Sequence, residues 1–475
     1  MSELTRREFN SGLAAGLLGA AAGRPSAARV PNVLVIQTDQ QRWDALNCAG
    51  NDQIRTPNLD RLAAEGTRFS RCVSSSPVCG PFRGTFQTGL QPFGHGVFVN
   101  GVPMRLTVPS FSQIFANRGY ATSYVGKWHL SGKTSAPKRY GFVPPEYRFG
   151  WQDWHGYETG HSYFRVWAVD RNGNRVRLRG YDWEPTMQTE VALGFIKRQT
   201  RERQPWLCQV SYGPPHEPEE CPEEFLEQYA PDAFRLTPDL ANRLSPEREV
   251  RLRRRMRAYY GQVTAVDHEV GRLIEGLSGL GVDRDTIVFF TSDHGDVLGS
   301  HCGRDRGKLR WKNAPYANAF RIPLIVRAPG RVRAGQVCDA LVDSIDLAPT
   351  LLGLAGLSAP PEMPGLSQAN WCTQGTGPTR RAIYLNGGAP WRAWRAGDGQ
   401  GHWRGVWDGR WVYAPLGFKV LYDHEADPYE LKNRFHAKSL APERERLHTL
   451  MVALAKHYGD PEVSAVLGSR PKRSG

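Results

Sequence analysis

Four continuous apolar runs punctuate the chain, PNVLVIQTD at 31–39, YATSYVGKWH at 120–129, PWLCQVSYGPPH at 205–216 and TIVFFTSDHG at 286–295, and each closes on polar or charged residues. Their length and β-branched content fit strands buried on both faces. Helical stretches lie between them. One enters at Thr56-Pro57 and leaves at Gly66, one spans SFSQIFANRG, and two longer ones run near 186–200 and 245–280. Strands alternating with helices predict an α/β fold, a large mixed, mostly parallel sheet sandwiched by helices. After IPLIVRAPG and the helical DSIDLAPTLLGLAG, residues 358–380 are rich in Pro, Gly, Thr and Ser and read as a linker. Beyond it, Asp408-Gly409 between aromatic strands signals a hairpin, and 441–457 reads as a final helix. The expected division is a main domain over 29–375 and a smaller C-terminal α+β subdomain over 376–475.

With 475 residues, 40% hydrophobic and 23% charged, the chain lies far from compositions that stay disordered, and no apolar run is long enough to span a bilayer. Its 61 Lys and Arg against 47 Asp and Glu leave a formal charge of +14, which favours anionic partners. The basic residues are scattered. The cluster Arg251-Leu252-Arg253-Arg254-Arg255 reads as a solvated helix face, and neither nucleic acid nor a membrane span is expected. At the N-terminus, Arg6-Arg7 precedes the uncharged SGLAAGLLGAAAG at 11–23 and a small-residue segment ending at Ala28. That pattern predicts a twin-arginine export signal over 1–28 and a periplasmic or secreted location. Because this route moves folded proteins, residue modification can precede export. The 8 cysteines include no C-x-x-C pair, so a structural zinc site is not expected.

In open α/β sheets ligands bind beyond the carboxyl ends of the strands. Here those ends carry Asp39-Gln40, Lys127 and His129, His216, and Asp293-His294, while Cys79 sits in the nearby loop VCGPFRGTFQTG. Asp39 and Asp293 offer hard anionic oxygens, Gln40 a neutral oxygen and His294 a nitrogen, a donor set suited to one divalent cation bound beside a substrate oxygen. Lys127, Lys312, Arg83 and His129 add positive charge and donors. Such a site would hold a tetrahedral oxyanion and stabilise charge developing on its oxygens.

These residues bring the chain into line with a known family: it resembles the type I sulfatases of the alkaline phosphatase superfamily. Cys79-Gly80-Pro81-Phe82-Arg83 matches their C-x-P-x-R signature. PNVLVIQTDQQRWDAL, TPNLDRLAAEGTRF, VGKWHLSG, PPHEP, YYGQVTAVDHEVGRLIEGL, TIVFFTSDHGDVLG, RIPLIV and LYDHEADPYELKN follow in the family's order. The resemblance implies hydrolysis of a sulfate monoester to an alcohol and inorganic sulfate. It implies that a formylglycine-generating enzyme oxidises Cys79 and that the aldehyde hydrate is the nucleophile. A thiolate would leave a stable thiosulfate, whereas a gem-diol can attack, release the alcohol, and expel sulfate by collapsing to the aldehyde. Carried over by motif, Arg83 and Lys127 stabilise residue 79, His129 takes its proton, His216 protonates the leaving oxygen and Lys312 binds sulfate. Lys312 is chosen over Lys308 for its spacing to Arg321. Asp39, Gln40, Asp293, His294 and the modified Cys79 would hold one divalent cation, Ca²⁺ first and Mn²⁺ as the alternative. Phe82 stands where the family usually has Ser or Ala, Gln40 and His294 where Asp and Asn are commoner, and Ala317 where relatives often carry an acid.

Two other readings stay open. One is a hydrolase of phosphonate monoesters or phosphodiesters on the same fold, and the other is a silent polyanion-binding protein in which Cys79 stays a thiol. The substrate is an anionic sulfate ester, a sulfated saccharide among the candidates. Trp151, Trp154, His155, Tyr157, His161 and Trp167 could stack on sugar faces or form the core of a loop excursion. Trp391, Arg392, Trp394 and Arg395 could reach the same mouth from the C-terminal side.

Overall fold

The computed structural model describes residues 3–5, 30–132, 141–169, 175–301, 309–388 and 402–468. The four apolar runs become neighbouring parallel strands, Thr286–Ser292, Asn32–Asp39, Trp206–Pro215 and Ala121–Lys127, with Asp153–Tyr157 beyond them. On the other flank Leu324–Arg327 runs antiparallel, and Thr67–Phe69 and Gln336–Cys338 complete eight strands. Successive residues of a strand point to opposite faces. Val33 and Val35 accordingly enter one core with Phe82, Phe86, Phe111 and Leu351, while Leu34 and Ile36 enter another with Leu59, Val191, Val266 and Leu273. Helices therefore cover both faces. Cys79–Thr88, Phe111–Asn117 and Leu347–Leu354 lie on one, and Pro57–Ala64, Glu184–Glu202 and Pro246–Gly279 on the other.

The basic cluster on Pro246–Gly279 behaves as a helix face: Leu252 and Met256 are buried while Arg251 and Arg254 are exposed. A second sheet of four antiparallel strands, Ile383–Gly387, Trp403–Trp407, Trp411–Leu416 and Val420–Asp423, follows in the C-terminal part. Its hairpin turns at Asp408-Gly409, where Gly409 has φ +94°, a conformation open to glycine without strain. The helix Ala441–His457 packs Leu447, Met451 and Ala455 on one face of this sheet, and Phe320 and Tyr316 meet the other.

One local expectation changes. Residues 358–380 are packed rather than linking: they contain the helix Ala369–Gln374, bury Met363 and Cys372, and tie back through Gln368 N–H to Thr350 Oγ1 at 2.8 Å. Their Pro and Gly content bends the segment without detaching it. Gly213-Pro214-Pro215 ends the strand Trp206–Pro215. Residues Glu3–Thr5 pair parallel with Arg175–Arg179, but most of the expected export signal lies outside the described residues, as do Lys308 and the segment holding Trp391 to Arg395. Among the described residues, Cys48, Cys72, Cys79, Cys208, Cys221, Cys338 and Cys372 are unpaired, and no helix is long and apolar enough to cross a membrane.

Candidate active site

Register brings the strand ends together. Ser292 pairs with Thr38, Asp39 with Pro215, and Lys127 with Tyr157, so Asp39, Lys127, His216 and Asp293 leave one edge of the sheet side by side. Cys79 arrives as the first residue of its helix, after an extended Val78, and all ten residues of that helix are buried. The Gly80 N–H donates to Asn100 Oδ1 at 2.8 Å. A helix start places partial positive charge beside residue 79.

Cys79 Sγ lies 3.3 Å from His294 Nε2, 3.3 Å from Lys312 Nζ and 3.6 Å from Asp39 Oδ1. His129 reaches it through a side-chain hydrogen bond. Lys127 Nζ donates to Asp39 Oδ2 at 2.6 Å. Arg83 Nη2 bridges Asp39 Oδ2 at 3.2 Å and Asp293 Oδ2 at 3.1 Å, while its Nη1 donates to the Lys127 carbonyl at 2.6 Å and to Ser211 Oγ at 2.7 Å. The guanidinium thus orients both carboxylates. Their other oxygens turn toward His294 Nε2, which lies 3.7 Å from Asp39 Oδ1 and 3.5 Å from Asp293 Oδ1. His294 Nδ1–H donates to the Gly295 carbonyl at 2.8 Å, so in the neutral ring the lone pair is on Nε2.

Gln40 is held just as closely. Its Oε1 accepts from Lys312 Nζ at 2.9 Å, and its Nε2 donates to Asp296 Oδ2 at 2.7 Å, an oxygen that Arg310 Nε also binds at 2.6 Å. Gln40 and His129 adopt φ of 69° and 65°. Non-glycine residues enter this left-handed region at a cost, and such strain gathers where surroundings dictate an orientation.

Electrostatics follow from this crowding. Burial and Asp39 push the Cys79 thiol up, but Lys127, Lys312 and His294 outweigh them and hold it well below its ordinary value. Burial opposes charge on Asp39, yet Lys127, His216, Lys312 and Arg83 hold its carboxyl well below the usual range. Burial and the adjacent Asp39 push Asp293 up to about 6. Burial lowers His129 despite its hydrogen bond to Cys79. His216 is held well below its ordinary value by burial, Lys312 and His161.

The donor atoms of Asp39, Cys79, Asp293 and His294 all lie within 4.8 Å of one another. Two carboxylates, an imidazole with a free lone pair and the nearby Gln40 amide oxygen suit a hard divalent cation, which would also relieve the repulsion between Asp39 and Asp293. Every residue expected at the strand ends, with Cys79, Arg83 and Lys312, converges here. The aromatic segment divides. Trp151 is buried against Phe111 and Trp154 stacks on Tyr124, both core roles, whereas His161 reaches the site. His161 Nε2 lies 3.2 Å from Lys127 Nζ, and its ring stacks on His216. His161 stood in the sequence only among aromatics that could face a sugar, and Asn100, Asp296 and Arg310 carried no sequence signal of a site role, because each lies in a loop whose position depends on packing.

Such a cluster lies beyond the strand ends of a mostly parallel sheet, where open α/β folds bind their ligands. The family model Sulfatase matches residues 31–357, and that of the N-sulphoglucosamine sulphohydrolase C-terminal region matches 307–457. The chain is 31% identical over 414 residues to the ulvan-active sulfatase of Formosa agariphila, covering 85% of this chain and 76% of that protein. It is 30% identical over 479 residues to the uncharacterized sulfatase YidJ of Escherichia coli, covering 93% and 90%. The crystal structure of yidJ from Bacteroides fragilis matches with a TM-score of 0.82 at 27% identity, covering 94% of this chain and 100% of that one. The chain belongs to the sulfatase family and is by class a sulfuric ester hydrolase.

Proposed function

We propose that this chain hydrolyses the sulfate monoester of a carbohydrate or another small organic alcohol, using Cys79 converted to formylglycine and one divalent cation. The observation that carries this reading is the meeting of Cys79 with Lys312, His294 and Asp39 at 3.3 to 3.6 Å, inside a cluster of buried cations and carboxylates. Asp39, Gln40, Asp293, His294 and the modified residue 79 hold the cation, Ca²⁺ in preference to Mn²⁺ given the oxygen-rich donors. When bound, it supplies Lewis-acid polarisation of a sulfate oxygen, and the formylglycine hydrate supplies a nucleophile that regenerates itself.

The remaining work falls to this chain's own side chains. Lys312 touches both Gln40 and Cys79, so its ammonium sits where a sulfate oxygen must lie, and Lys127 supplies a second positive charge. His129, held neutral by burial, accepts the proton of the attacking hydroxyl. His216 delivers a proton to the departing alkoxide, and the charge of the bound ester favours its protonated form. The ulvan-active relative and the +14 charge support a sulfated saccharide as substrate, and Arg6-Arg7 supports export by the twin-arginine route. Modification by a formylglycine-generating enzyme then precedes export.

Mass spectrometry of the tryptic segment from Cys72 to Arg83 in active enzyme should show an aldehyde-bearing residue lighter than cysteine. The same preparation should turn over an aryl sulfate faster than an aryl phosphonate ester. Fully active enzyme carrying only thiol at position 79, or a preference for the phosphonate, would overturn the reading.

A further inference from the structure

His161 enters the site from the loop after the edge strand Asp153–Tyr157, and the reaction as proposed gives it no part. Its ring lies face to face with His216, the centroids 4.1 Å apart and the planes within 4°. Tyr163 defines the tautomer. The Tyr163 hydroxyl donates its hydrogen to the His216 carbonyl at 2.9 Å, so across 3.0 Å it accepts from His161 Nδ1–H. With its proton on Nδ1, His161 presents a bare lone pair at Nε2 to the Lys127 ammonium 3.2 Å away. Of the three N–H donors on Lys127, Asp39 Oδ2 takes one at 2.6 Å and His161 a second, which leaves one for a substrate oxygen. His216 is tied along one edge by Nδ1–H to the Glu217 carbonyl at 2.7 Å, and the stack sets its plane. Burial and the charge of Lys127 hold His161 well below its ordinary value, so the ring stays neutral.

We propose that His161 is a positioning residue of the hydrolytic site: its edge sets the rotation of the Lys127 ammonium and its face sets the plane of His216. The inference rests on the sulfatase reading above and deepens it, because one imidazole then aligns the cation that binds sulfate with the group that protonates the leaving oxygen.

Two variants separate edge from face. His161→Phe keeps a flat ring and loses the acceptor, whereas His161→Gln keeps an acceptor for Lys127 and loses the ring. In His161→Phe, KM should rise about 10-fold for an aryl and an alkyl sulfate alike, since a hydrogen bond to a charged group is lost before the leaving group matters. In His161→Gln, KM should stay within about twofold, while kcat falls about 10-fold on the alkyl sulfate and less than about threefold on the aryl sulfate. Each variant decides its own half, so one that fails to fold leaves the other diagnostic. Variants that match the wild type, or that lose both substrates in equal measure in kcat without this split, overturn the role of His161. If the wild type carrying formylglycine hydrolyses neither ester, it is the sulfatase reading that fails.

Discussion

Two of the places where the chain buries charge are built differently. In the C-terminal part, Glu430 accepts from His424 Nε2 at 2.9 Å and the Ala317 N–H at 3.1 Å on one oxygen, and meets His301 Nε2 at 2.8 Å on the other. On the same sheet, Arg404 Nε and the Tyr384 hydroxyl both donate to one oxygen of Asp460 at 2.6 Å. Each buried carboxylate there has its donors, and the contacts join separate elements. At the edge of the main sheet, Arg83, Lys127 and Lys312 crowd around Asp39 and Asp293, while His129 Nδ1 and Arg83 Nε have no partner among the described residues. Burying charge is costly unless it is matched. A matched cluster is finished by folding, whereas an unmatched one is finished by a ligand, here an oxyanion.

Substitutions should separate the two clusters, the largest effects falling at the unmatched one. Cys79→Ala should reduce turnover of any sulfate ester by about 10⁵-fold, the scale of removing a covalent nucleophile, and leave the melting temperature nearly unchanged. Loss of fold together with activity would make Cys79 a packing residue. Asp293→Ala should lose bound metal and activity together, by about 10³-fold, as read by elemental analysis of the purified protein beside its kinetics. Activity that survives exhaustive chelation would remove the cation from the mechanism.

His216→Ala should depress turnover of an alkyl or sugar sulfate by about 10²–10⁴-fold and an activated aryl sulfate far less, because only the poor leaving group needs the proton. Equal losses would assign His216 to sulfate binding instead. In the matched cluster, Arg404→Ala should cost about 3–5 kcal/mol of stability in denaturant titration, by stranding Asp460, while turnover per folded molecule is unchanged.

The smallest effect is one of pH. Burial raises Glu430, but His301 and His424 more than compensate and hold it down at about 2, against an ordinary 4.5. A depressed carboxylate stabilises the folded state above its unfolded value and loses that contribution as pH falls from about 4.5 toward 2. Glu430→Gln should therefore flatten this acid limb of the stability curve by about 3 kcal/mol. An unchanged limb would mean that other carboxylates govern acid unfolding.

Much of this architecture was legible in one dimension. VLVI at 33–36 and TIVFF at 286–290 are apolar on both faces, which only an interior strand of a covered sheet allows, and three residues after each stands a chemically loaded one, Asp39 and Asp293. The helices at 184–202, 246–279 and 441–457 carried periodicity long enough to read. Composition misled at 358–380, where Pro and Gly bend a packed segment, because the same residues serve a free linker and a tight cover.

Primary structure was enough to define the donor set, since Asp39, Lys127, His216 and Asp293 end strands that can lie in only one direction in a parallel sheet, and Cys79 and Arg83 share a short signature. Packing in three dimensions decided the rest. It turned Arg83 onto the two carboxylates, fixed the Gln40 amide between Lys312 and Asp296, and carried His161 from an aromatic-rich loop onto Lys127 and His216. The physical reason is one of range. Periodicity and strand ends are local properties of the chain, while the orientation of a buried polar group is set by whichever distant atoms satisfy it.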